Sequence, residues 1–140
     1  MILLDTNVIS ELVRQNPYPA VVAYLRTLAP EVVFTAAICE AEIRYGLARM
    51  PTGHKRNQLV TRIDILFASG FQQQIVPFDG TCAALYGEIR ASREAAGKPI
   101  EVEDAMIAAT ARAHGAALVT RNVGDFVDCG TTIINPWIAE

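Results

Sequence analysis

Met1-Ile2-Leu3-Leu4-Asp5-Thr6-Asn7 sets a short apolar run directly against an acid and two polar residues. Such a run, ended by turn-forming residues, reads as a strand buried on both faces. A helix follows from about Asn7 to Gln15, and Asn16-Pro17 breaks it. The same alternation recurs along the chain. Pro19 opens a second helix to about Leu28, with Val21, Val22, Leu25 and Leu28 on one face. Val32 to Thr35 is β-branched and aromatic, hence a strand. Helices are expected over Ala37 to Met50 and His54 to Ala68. Ile75-Val76-Pro77-Phe78 reads as a strand, and its proline, unable to donate to a ladder, puts it at an edge. Helices from Gly80 to Ala96 and Glu103 to Ala113 precede strands at Ala117 to Thr120 and Thr131 to Ile134. Short apolar strands alternating with helices define an α/β fold: an α/β/α sandwich around a mainly parallel sheet, one domain over 1–140.

Composition removes several function classes. The 140 residues are 51% hydrophobic and 19% charged, enough for a core and too apolar for disorder. No run reaches a membrane span, and Asp5 comes too early for a secretory signal. The three cysteines (Cys39, Cys82, Cys129) are widely spaced and odd in number, which argues against a disulfide framework. A cytoplasmic location is therefore expected. His54 and His114 are the only histidines, so a zinc cluster is not supported. Phosphate-loop and nucleophile-elbow patterns are absent from the sequence. Twelve bases against fifteen acids give a net charge of −3, which excludes a general basic coat for nucleic acid.

The acids sit where the fold would use them. Ligands of parallel sheets bind beyond the carboxyl ends of the strands. Asp5 lies there, although it would also serve as a helix cap. Asn122 and Asp125 lie there too, in the strand-to-helix loop Thr120-Arg121-Asn122-Val123-Gly124-Asp125-Phe126, which also suits plain turn chemistry. Glu40 and Glu42 lie two positions apart on a helix and point to nearly opposite sides, so at most one faces a pocket. Periodicity does not choose between them. Glu101, Glu103 and Asp104 crowd the start of a helix that continues Ala105-Met106-Ile107-Ala108-Ala109-Thr110-Ala111. A helix so apolar is deeply buried, and an acid at its mouth needs a partner or a cation. Converging carboxylates favour an oxygen-ligated ion, Mg²⁺ or Mn²⁺. Acids with such an ion suit phosphodiester hydrolysis through a metal-activated water. A phosphoacceptor receiver is a poorer fit, because neither lysine (Lys55, Lys98) follows a strand. Between Arg44 and Arg62 lie five bases and no acid. Arg44, Arg49, Lys55 and Arg56 are candidates for gripping an RNA backbone, or else an ordinary solvated surface.

Five segments in order resemble the PIN-domain family, specifically toxins of the VapC/FitB type. They are Met1 to Glu11, Ala41-Glu42-Ile43-Arg44-Tyr45-Gly46, Glu103 to Ala111, Thr120 to Phe126, and Asn135-Pro136-Trp137. The resemblance selects Glu42 over Glu40 and Asp104 among its neighbours. It implies a Mg²⁺-dependent endoribonuclease, with Mn²⁺ as a substitute, whose catalytic acids are Asp5, Glu42, Asp104 and Asp125. Asp5, Asp104 and Asp125 would hold the ion, and Glu42 a second ion or the attacking water. Asn122, Thr120 and Thr6 would give polar support. Some family members carry an aspartate where this chain has Asn122, which is why Asp125 is taken as the fourth acid. The resemblance further implies a homodimer and a small VapB/FitA-like antitoxin that covers the site. DNA would be met only through that antitoxin, since this chain carries no DNA-reading motif. The alternative is a catalytically silent RNA- or protein-binding module of the same fold.

Overall fold

The computed structural model describes residues 1–138. Its centre is a sheet of five strands, all pairings parallel: β1 (Ile2–Leu4), β2 (Val33–Ala36), β3 (Ile75–Val76), β4 (Ala117–Val119) and β5 (Ile133–Ile134). The spatial order is β3-β2-β1-β4-β5, which places β1 at the middle and β3 at an edge. Pro77 falls just beyond β3, where its missing N–H disturbs no ladder. Successive strand residues point to opposite faces. Leu3 and Leu4 are both buried, as are Leu118 and Val119, so both faces of the central strands are covered.

Six helices supply the cover: α1 (Thr6–Leu12), α2 (Pro19–Arg26), α3 (Ala37–Arg49), α4 (His54–Ile65), α5 (Gly80–Ala95) and α6 (Val102–Ala113). The expected buried helix is α6, in which Ala105 and every residue from Ile107 to Ala111 are buried. Its small side chains allow that depth without a polar penalty, because Thr110 bonds its hydroxyl to the Met106 carbonyl at 2.8 Å. Gly115 (φ +60) then takes the left-handed conformation that ends α6 and starts β4.

Three expectations need correction. α1 stops at Leu12 rather than Gln15, because the Glu11 carboxylate accepts the Tyr18 N–H at 3.2 Å and pulls the chain into a turn. α4 ends at Ile65, and Leu66–Gly70 continues as a single π-helical turn. The segment after β4 enters no α-helix: only a 3₁₀ turn, Val123–Phe126, separates β4 from β5. Buried Arg93 replaces the missing helix ladder. Its guanidinium donates to the carbonyls of Lys98 (2.7 Å), Asp125 (2.9 Å) and Val127 (2.7 Å).

Candidate active site

β1 delivers Asp5 to the carboxyl edge of the sheet, and the backbone turns there into α1. The carboxylate is 3% exposed. One oxygen accepts the Thr6 N–H at 2.7 Å, so Asp5 caps α1. The other accepts the Thr120 hydroxyl at 2.7 Å and the Asn7 amide at 3.1 Å. The two readings of Asp5, cap and site, are therefore compatible: the cap fixes the side chain while the group faces a cleft. Burial raises the Asp5 carboxyl above its ordinary range, and these hydrogen bonds pull it back.

Glu42 enters from the middle of α3. Its Oε1 accepts the Thr6 hydroxyl at 2.7 Å, so Thr6 joins the two acids, backbone to Asp5 and side chain to Glu42. Half-burial, together with Asp5 and Glu103, raises the Glu42 carboxyl. Glu40 turns elsewhere and takes the Arg44 guanidinium at 3.2 Å. Asp104, in the first turn of α6, carries the largest change among the acids. Burial, then the charges of Asp5, Asp125, Glu42 and Glu101, push it up to about 7.

These side chains line one cleft of about 550 Å³, together with Thr6, Asn7, Asn122 and the cations Arg14 and Arg121. Asn122 lines the cleft, and its N–H donates to the Thr120 hydroxyl at 3.0 Å. Asp125 is exposed in the 3₁₀ turn and acts on Asp5 and Asp104 through its charge, from outside the lining. Asp128 is exposed and pairs with Lys98 at 3.6 Å. Cys39 lies buried near Asp5, its thiol pushed up to about 12, which removes it as a nucleophile.

The donor set fits a hard divalent cation: oxygen from Asp5, Glu42 and Asp104, with no histidine in the lining. Among the described residues no three acidic, histidine or cysteine side chains already stand in a metal-holding arrangement.

The basic candidates do not gather here. Arg44 is held by Glu40 and Asp64 and lies over the Phe67 ring at 5.5 Å. Arg49 covers Tyr45 at 5.3 Å. Lys55 borders a separate groove with Arg14 and Arg62, and Arg56 lines neither. The cations of the cleft, Arg14 and Arg121, were not singled out by composition. Arg121 was visible only as the middle of Thr120-Arg121-Asn122.

A parallel α/β domain with a carboxylate cleft at the ends of its strands is the class this geometry defines. The profile of the PIN domain matches residues 2–127. Toxin FitB of Neisseria gonorrhoeae is 43% identical over 137 residues, covering 98% of this chain and 99% of that protein. The VapC ribonuclease Y4jK of Sinorhizobium fredii is 40% identical over 137 residues, covering 98% of each. A solved structure of FitAB bound to the IR36 DNA fragment superposes with a TM-score of 0.92 at 43% identity, covering 100% of this chain and 98% of that one. The chain belongs to the PIN domain family, and its relatives are ribonuclease toxins of toxin–antitoxin systems.

Proposed function

We propose that this chain is the toxin of a toxin–antitoxin pair, a Mg²⁺-dependent endoribonuclease built as one catalytic domain. The observation that carries the reading is the cleft at the carboxyl ends of the strands, where Asp5, Glu42 and Asp104 converge in a PIN domain. A cluster that crowds its acids this far is built for a cation and for a substrate that arrives with one.

Asp5 and Asp104 would hold Mg²⁺, with Mn²⁺ able to replace it, and Asp125, expected as a third ligand, would act through its charge from outside the lining. A bound divalent ion supplies the charge that offsets these acids and polarises water and the phosphate. Asp5 contributes a carboxylate fixed by three hydrogen bonds. Thr6 holds Glu42 at a set distance from Asp5, and Glu42 orients the attacking water and takes its proton. Water adds to phosphorus as Glu42 takes its proton, one P–O bond breaks, and the leaving oxygen takes a proton from solvent. Thr120 and Asn122 brace the far side of Asp5 and the mouth of the cleft.

The proposed partners are a small VapB/FitA-like antitoxin over the cleft, a second copy of the chain in a homodimer, and DNA reached through the antitoxin. The FitAB relative is itself seen on DNA. Among the described residues no helix is long and apolar enough to cross a membrane, and a cytoplasmic place is proposed. The test is cleavage of cellular RNA by the purified chain with Mg²⁺. Asp5→Asn or chelation should abolish cleavage; undiminished cleavage by Asp5→Asn would sink the assignment. Tight RNA binding without cleavage by the unaltered chain would favour the silent module instead.

A further inference from the structure

Arg121 and Trp137 line the cleft and take no part in holding an ion or attacking a phosphate. The pairing of β4 with β5 brings them together, since Val119 lies opposite Ile134 and both side chains follow shortly after. The Arg121 guanidinium lies 5.3 Å from the centre of the indole. A cation against an aromatic face is held there by the ring quadrupole.

Both residues are fixed relative to the acids. The Arg121 N–H donates to Asn7 Oδ1 at 3.2 Å, and Asn7 Nδ2 donates to Asp5 at 3.1 Å. One side chain thus links Arg121 to the most buried acid of the site. Trp137 is anchored by its N–H to Asn135 Oδ1 at 3.0 Å, and its partly buried ring packs against the core.

The two cations of the cleft differ in what they have left to offer. Arg14 is paired with Glu11 at 3.3 Å. Arg121 is exposed and makes no ion pair among the described residues. An uncommitted guanidinium in an acidic cleft is suited to a ligand that brings negative charge. Its planar fork matches two phosphate oxygens. Bases stack on indole rings and on guanidinium planes, but only when the strand is single and the bases are free.

We propose that Arg121 and Trp137 form a nucleotide subsite beside the catalytic acids, taking a base and its phosphate from single-stranded RNA. The proposal rests on the ribonuclease reading above and adds how that substrate is seated.

The chain has one tryptophan, so its fluorescence reports this subsite directly. The test uses full-length Asp104→Asn protein, which stops turnover, titrated with a short single-stranded RNA and with its duplex. The single strand should change the Trp137 emission and the duplex should not. Arg121→Ala in the same protein should weaken single-strand binding by about tenfold. Arg121→Lys should recover little, since it restores charge without a plane. Arg121 is exposed, and a melting curve checks that its variants stay folded. Single-stranded RNA that binds with unchanged emission, or equally well to Arg121→Ala, overturns the subsite. So does an emission change produced by a protein partner and not by RNA. Cleavage by the unaltered chain is measured alongside. If cleavage proceeds while tryptophan stays silent, the subsite fails and the ribonuclease reading stands. If RNA is neither cleaved nor bound, both fail.

Discussion

Replacing Asp104 by asparagine should destroy activity and stabilise the metal-free protein, and the second effect should depend on pH. The carboxyl lies at 3.8 when unperturbed and at about 7 in the folded chain. Between those values the folded state binds a proton that the unfolded state has lost, so stability falls as pH rises. Without screening the full effect is about 4 kcal/mol. Asp104 is only half-buried in an open cleft, and solvent reduces this to about 2 kcal/mol. Asparagine keeps the shape and carries no charge. At about pH 8 the variant should therefore melt roughly 6–8 °C above the native chain in the presence of a chelator. The gap should shrink below about pH 7 and close near about pH 4. Differential scanning fluorimetry over that range measures it. Added Mg²⁺ should raise the melting point of the native chain and do little for the variant, because a ligand that binds only the folded state adds its binding energy to stability. A variant no more stable than the native chain at alkaline pH, or a gap that does not move with pH, would refute the account of crowded acids.

Two further perturbations address the support around the site. Thr6→Val preserves shape but removes the 2.7 Å bond to Glu42. Initial rates of RNA cleavage should fall about tenfold while stability changes by about 1 kcal/mol; an unchanged rate would show that Glu42 needs no such guide. Arg93→Met leaves the carbonyls of Lys98, Asp125 and Val127 without their donor. Urea denaturation should show a loss of about 3 kcal/mol, and native-like stability would show that water replaces the guanidinium without cost.

The strands were legible because burial on both faces writes them as unbroken apolar runs, and Asp5 because it ends the central one. An acid at the mouth of α6 was legible because a helix so rich in alanine and isoleucine is buried, but Asp104 was separated from Glu101 and Glu103 only by the family resemblance. The side chosen by Glu42 was not legible from period alone. What turns Glu40 away is Arg44 one helical turn on, joined by Asp64 from α4. The first half of that trap is local and the second is tertiary, so Arg44 read as a free cation until the fold was known. Arg121 and Trp137 lie sixteen positions apart, and only the register of β4 on β5 makes them neighbours. Glu11 is a similar case. Local sequence gives no sign that it is buried, and what buries it is the turn it closes to Tyr18.

Net charge misled most, and the structure shows the physical reason. A formal count of −3 treats every carboxylate as ionised and equally placed. Burial, and then the charges of its acidic neighbours, instead push the Asp104 carboxyl up to about 7. A divalent cation would remove more of the same charge, at the one place where a phosphate must approach. Setting aside Asp5, Glu42, Asp104 and Asp125 leaves eleven acids against twelve bases. Most of those bases are not a coat, since Arg14, Arg44, Arg90, Lys98 and Arg112 are spent on ion pairs and Arg62 and Arg93 on carbonyls. Affinity for a polyanion must then come from a few placed groups rather than from a field over the surface. An enzyme built this way should hold RNA weakly away from the cleft, bind it with a shallow dependence on salt, and owe its selectivity to what sits beside the acids.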